Sequence, residues 1–109
     1  MTAEPAGPDA VRLQVSGELD LATRPAFEEG VAEALESGCR VLLDLSQVSF
    51  IDSTGLAAII GSARRAEHAG VVLQIAPSLS PQTQRLLELT GISEHLPFAS
   101  PSAWASPSG

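Results

Sequence analysis

Three times along this chain a short apolar run gives way to apolar residues spaced for one face of a helix, and each time a glycine follows. Val11-Arg12-Leu13-Gln14-Val15 alternates apolar and polar, as a strand with one wet face does. Phe27, Val31, Ala34 and Leu35 then make an inward helical stripe, with Thr23 as N-cap, Pro25 in the first turn and Gly38 past the end. Val41-Leu42-Leu43-Asp44-Leu45 is a run of buried-strand type, followed at helical spacing by Leu56, Ile59, Ile60 and Ala63 and closed by Gly70. Residues 71–76 form the third strand, bounded by Pro77. Ser80 then caps a helix starting at Pro81, with Leu86, Leu87 and Leu89 on its buried side and Gly91 behind it. Such alternation predicts an α/β fold: one small domain with a central, mostly parallel β-sheet of four to five strands, right-handed crossovers and helices packed against the sheet. Leu96-Pro97-Phe98 is the candidate for a further edge strand.

A chain of 109 residues holds one compact core and is too short for two ordinary domains. Residues 1–10, rich in Pro, Gly and Ala, read as a flexible lead-in, residues 11–98 as the domain, and residues 99–109 as a disordered Ser/Pro/Ala tail with Trp104 outside the core. No apolar run approaches the roughly 20 residues that span a bilayer, so membrane insertion is not expected. The N-terminus lacks the basic-then-apolar pattern of a secretory signal. Cys39 is alone, which rules out an internal disulfide and fits a reducing compartment; the expected location is cytoplasmic. The formal charge of −7, with only six Lys and Arg, argues against direct nucleic-acid binding, which needs clustered cations.

Loops at the carboxyl ends of parallel strands gather on one rim, where open α/β folds keep their sites. Two turns should emerge there: Ser16-Gly17-Glu18-Leu19-Asp20, and Asp52-Ser53-Thr54-Gly55-Leu56. If their strands are neighbours, Asp20 and Ser53 lie close together. Ser53 sits at or just inside a helix N-terminus, where unpaired N–H groups favour negative charge. A catalytic serine of the α/β-hydrolase type would have a glycine two residues before it, and Ile51 stands there. His68, fifteen residues further along the same helix, would be roughly 22 Å away, too far for a triad. No Walker pattern, dinucleotide fingerprint or metal-ligand spacing occurs, so no cofactor or metal is expected. Asp44 resembles the phosphoacceptor of receiver domains, but the acidic pair that would hold magnesium is missing, which leaves Asp44 a structural role. For Ser53 the residues alone leave two readings open, a plain helix cap and a regulated phosphoacceptor.

The two motifs together, Ser16-Gly17-Glu18-Leu19-Asp20 and residues 41–56 with Phe50-Ile51-Asp52-Ser53-Thr54-Gly55-Leu56, closely resemble the STAS domain family in its anti-sigma-factor antagonist branch. The similarity covers roughly residues 11–98 in order. It implies a non-enzymatic partner switch. In that branch the serine after the motif Asp, here Ser53, is phosphorylated by a partner that is both serine/threonine kinase and anti-sigma factor, and a serine phosphatase reverses it. The unphosphorylated form binds the anti-sigma factor and frees its sigma factor; phosphorylation abolishes binding. The implied partner surface comprises Asp20, Asp52, Ser53, Thr54, Gly55 and Leu56. The alternative within the family is an accessory subunit that docks on a transporter ATPase of the lipid-transport type, without a phospho-switch. Thr54 replaces a common serine. Family members also begin with an extra strand, which Pro5, Gly7 and Pro8 make unexpected here; its loss would bare a sheet edge to weak self-association.

Overall fold

The chain's structure, a computed structural model, describes residues 1–100. Four strands, β1 (Thr2–Pro5), β2 (Ala10–Leu19), β3 (Arg40–Ile51) and β4 (Leu73–Ile75), lie in the sheet order β1-β2-β3-β4. β1 runs antiparallel to β2, and the β2–β3 and β3–β4 pairs are parallel. Helix α1 (Arg24–Glu36) connects β2 to β3 and α2 (Ser53–Ala69) connects β3 to β4. Both crossovers step the same way along the sheet, so both helices fall on one side of it, in contact with each other. Helix α3 (Pro81–Thr90) packs against β3, and a short 3-10 turn covers Ser93–His95. The domain is therefore a small α/β unit with a mostly parallel sheet.

The core is what the periodicities select. Phe27, Val31, Ala34 and Leu35 of α1 are all buried, as are Leu56 and Ile59 of α2, and they meet Leu13, Val15, Val41, Leu43 and Leu45 of the central strands. Ile60 packs only at the margin of this cluster. Gly70 ends α2 with φ of 69°, a left-handed conformation in which its N–H reaches back to the last turn. Ser80 caps α3 by accepting the Thr83 N–H at 3.3 Å.

Several expectations need correction. The lead-in expected over residues 1–10 contains β1, which pairs with β2 from Thr2↔Gln14 to Pro5↔Val11. Pro5 is tolerated because it ends an edge strand, where no inner ladder bond depends on its missing N–H. The edge of β2 is thus covered, and the stated ground for self-association falls away. Leu89, expected inward on α3, is 74% exposed; Thr83 and Leu87 form the buried stripe instead. Thr23 stands at the α1 N-cap position but makes no side-chain cap bond. Leu96-Pro97-Phe98 joins the sheet by a single parallel bridge, Ile75↔Phe98. The expected tail begins too early at Ala99, which is buried and donates its N–H to the Ile75 carbonyl at 2.8 Å. The rest of that tail, with Trp104, lies outside the described residues.

Candidate functional site at the strand carboxyl rim

β2 and β3 are hydrogen-bonded neighbours with Leu19 opposite Ile51, so the two motif turns leave the sheet side by side. The Asp52 N–H donates to the Leu19 carbonyl at 3.4 Å and ties them together. β2 extends further than its alternating pattern suggests: Gly17, Glu18 and Leu19 stay paired with β3 through two irregularities of register. The condition set for bringing Asp20 and Ser53 together, neighbouring strands, is met: Asp20 follows Leu19 directly, and Ser53 follows Asp52, which is bonded to Leu19.

The cap question resolves on side-chain bonds. Asp52, in extended conformation, is the N-cap of α2, and its Oδ1 accepts the Gly55 N–H at 2.9 Å. Ser53 is the first helical residue and is exposed. Among the described residues its hydroxyl has no hydrogen-bond partner. Thr54 beside it is half-buried. Gly55 and Leu56, expected on a partner surface, are buried beneath the rim. A Cβ on Gly55 would meet the Leu19 carbonyl oxygen at 2.2 Å, so the motif glycine is where helix and strand backbones nearly touch.

Asp20 is half-buried and its carboxylate is occupied within its own turn. Oδ1 accepts the N–H groups of Ala22 at 3.0 Å and Thr23 at 3.1 Å. The Thr23 hydroxyl donates to the Glu18 carbonyl at 2.9 Å and accepts the Asp20 N–H at 3.0 Å. Asp20 therefore shapes the turn, and the side chain the turn presents is Leu21, 74% exposed. Phe50, just before Asp52, is also exposed. Sequence reasoning named Phe50 only as part of a motif and passed over Leu21, because exposure of an apolar residue cannot be read from its type.

Asp44 lies away from this rim, buried in β3. Arg12 donates to its Oδ2 from Nε at 3.0 Å and from Nη2, and the Ser46 N–H donates to Oδ1 at 2.9 Å. Burial pushes the Asp44 carboxyl up, but the bond from Arg12, the two groups of Ser46 and the Arg12 charge outweigh it and hold it below its ordinary value. Its role is a cross-strand brace. His68 lies in the last turn of α2, at the opposite end from Ser53. Among the described residues no three His, Cys, Asp or Glu side chains are grouped to hold a metal ion, and no helix is long and apolar enough to cross a membrane.

The family model for the Mlab, STAS domain matches residues 2–97. The chain belongs to the STAS domain family. Its similarity within the family runs to anti-sigma-factor antagonists. The anti-sigma-B factor antagonist of Listeria monocytogenes is 34% identical over 89 residues, covering 79% of this chain and 75% of the relative. An anti-sigma factor antagonist from Mycobacterium paratuberculosis superposes with a TM-score of 0.75 at 26% identity, over 89% of this chain and 81% of that one. The Bacillus cell fate determinant SpoIIAA in its phosphorylated form has the same fold, with a TM-score of 0.63 at 20% identity over 91% of this chain and 90% of its own. Another structure shows SpoIIAA unphosphorylated. This STAS chain thus carries β1, the extra strand that its first residues seemed unable to supply.

Proposed function

We propose that this chain is a cytoplasmic anti-sigma-factor antagonist that switches partners by phosphorylation of Ser53. The observation that carries the reading is the division of labour at the start of α2. Asp52 does the capping, which leaves the neighbouring Ser53 hydroxyl exposed and unbonded among the described residues. The similarity to antagonists named for sigma-B regulation supports the partner class. A fold known in phosphorylated and unphosphorylated forms supports the modification.

The chain is the substrate of the switch, not its enzyme. A partner that is both anti-sigma factor and serine/threonine kinase supplies ATP. Its γ-phosphoryl passes to Ser53 Oγ, ADP leaves, and the hydroxyl proton goes to solvent or a kinase base. A serine phosphatase returns the hydroxyl by hydrolysis. Unmodified, the rim around Ser53, Asp52 and the Asp20 turn engages the anti-sigma factor and frees its sigma factor. Phosphate adds about −1.5 to −2 charges beside Asp52. Like charge and the cost of drying the phosphate then weaken the complex, and every ~1.4 kcal/mol lost is tenfold in affinity.

The test pairs binding with phosphate mapping. Ser53→Ala should bind the anti-sigma factor constitutively and Ser53→Asp weakly, with both variants melting within about 0.5 kcal/mol of the parent. Incubation with cognate kinase and ATP should add one phosphate to the peptide containing Ser53. Equal binding by the two variants would sink the switch, and a label on Thr54 would refute the residue assignment. Co-purification with a transporter ATPase, without phosphate uptake, would favour the docking-subunit reading.

A further inference from the structure

Among the described residues, two of the large apolar side chains left exposed, Leu21 at 74% and Phe50 at 47%, belong to the two chain segments that meet just before Ser53. Leu21 follows Leu19 by two residues, and Phe50 precedes Asp52 by two; Leu19 and Asp52 are joined by their backbone hydrogen bond. At no more than about 3.6 Å per residue, each anchor's Cα lies within roughly 7 Å of the Cα at its end of that bond. Neither position is casual. Leu21 is held out by the Asp20 turn, whose backbone is fixed by Asp20 Oδ1, the Thr23 hydroxyl and an Arg24 N–H bond to the Asp20 carbonyl at 2.9 Å. Phe50 stands in β3 opposite Glu18 of β2. Large apolar groups presented this rigidly lose little freedom when a partner covers them, which is what interface anchors require.

The charge around them has one sign. The segments that build the rim, residues 16–23 and 46–57, contain Glu18, Asp20 and Asp52 and no Lys or Arg. The next basic residue along, Arg24, is paired with Glu28 at 3.2 Å.

We infer that the anti-sigma factor receives Leu21 and Phe50 in an apolar cleft whose lip carries Lys or Arg against Glu18 and Asp52. This rests on the proposed phospho-switch and specifies the partner's side of it. It also decides how the phosphate works. A basic lip attracts a phosphate, so repulsion from the partner is not the release mechanism. A phosphoryl group on Ser53, one residue past the Leu19–Asp52 junction from which both anchor segments extend, has to be stripped of water where the cleft closes over that junction. That desolvation outweighs a screened attraction at a wet lip. Like charge from Asp52 adds to the penalty.

The experiment titrates the full chain into the purified cognate anti-sigma factor. Leu21→Ser and Phe50→Thr, the latter chosen to keep a β-branched residue in the strand, should each raise Kd about tenfold or more. Their unfolding midpoints should stay near the parent's, which shows that the loss is at the interface. Raising NaCl from about 0.05 to about 0.5 M should slow association of the parent. If the parent does not bind at all, the switch reading fails and takes this inference with it. If the parent binds and Ser53→Asp releases it, yet Leu21→Ser and Phe50→Thr bind like the parent, the anchors alone are refuted. Association indifferent to salt refutes the basic lip.

Discussion

Gly55→Ala and Gly61→Ala make the same chemical change in the same helix and should move stability in opposite directions. At Gly55 the new Cβ would lie 2.2 Å from the Leu19 carbonyl oxygen and 3.0 Å from its carbonyl carbon. Both are backbone atoms, so no side chain can swing aside. Either α2 or the end of β2 must shift, at about 1–3 kcal/mol of overpacking strain. A shift large enough to relieve the contact stretches the bond from Asp52 N–H to the Leu19 carbonyl, already 3.4 Å long, for about 1 kcal/mol more. Alanine's better helix propensity returns about 1 kcal/mol. The net loss is about 1–3 kcal/mol, or roughly 5–15 °C in Tm for a domain near this size. At Gly61 nothing lies within 4 Å of the new Cβ, and the same propensity term acts alone, a gain of about 0.5–1 kcal/mol. Urea and thermal unfolding followed by circular dichroism measure both. If the two variants shift the same way, or differ by less than about 1 kcal/mol, the close approach of Gly55 to Leu19 is not what the motif glycine is for. Because the strain falls on the junction between the two motif turns, Gly55→Ala should also slow Ser53 phosphorylation by the cognate kinase while Gly61→Ala does not.

Two further perturbations separate the cap from the brace. Asp52→Ala removes the bond to the Gly55 N–H and should cost about 1 kcal/mol, whereas Asp52→Asn, which keeps the acceptor, should stay within about 0.5 kcal/mol in the same unfolding assay. Asp44→Asn should cost about 1–3 kcal/mol, less than a fully buried pair because the Arg12 side chain is 48% exposed and rehydrates. The folded carboxyl of Asp44 is depressed, so the unfolded chain binds its proton first. Its stabilisation is therefore complete above the ordinary carboxylate range near pH 4 and is lost as pH falls through the lower folded value. Urea titrations of parent and Asp44→Asn from neutral to acid pH should converge over that acid window, and a constant gap between the two would refute the brace.

The parts of the fold that were legible in the sequence are those set by period. The α1 stripe, the apolar β3 run and the α2 face follow from burial on one side of a regular element, which spacing records directly. β1 was not legible because Pro5, Gly7 and Pro8 announce irregularity, while an edge strand needs only that its prolines fall at its end or beyond. Leu89 misled for the opposite reason: three leucines in one turn cannot all face inward, and Thr83, fully buried through its bond with Ser80, took part of that face. The adjacency of the Asp20 and Ser53 turns was legible only conditionally, since sequence does not state which strands pair. That Asp20 spends its carboxylate on its own turn, and so presents Leu21, depends on side-chain bonding and leaves no trace in spacing.

The placement of Ser53 one residue inside the helix bears on how a single phosphate would act in the proposed switch. Had Ser53 been the N-cap, its hydroxyl would be bonded to a first-turn N–H, and phosphorylation would disturb a contact worth about 1 kcal/mol to the helix. Modification would then alter the fold and the interface together, and the two effects would blur. With Asp52 holding the Gly55 N–H, the modified oxygen has no structural bond to break among the described residues. The new charge also stands at the positive end of the α2 dipole, where an anion is stabilised by about 0.3–1 kcal/mol. Under the proposed switch the folded state would therefore tolerate the phosphate, and its unfavourable free energy would be expressed where the rim meets its partner. Under the proposed switch, a serine one position earlier would regulate the helix; at this position it would regulate the surface.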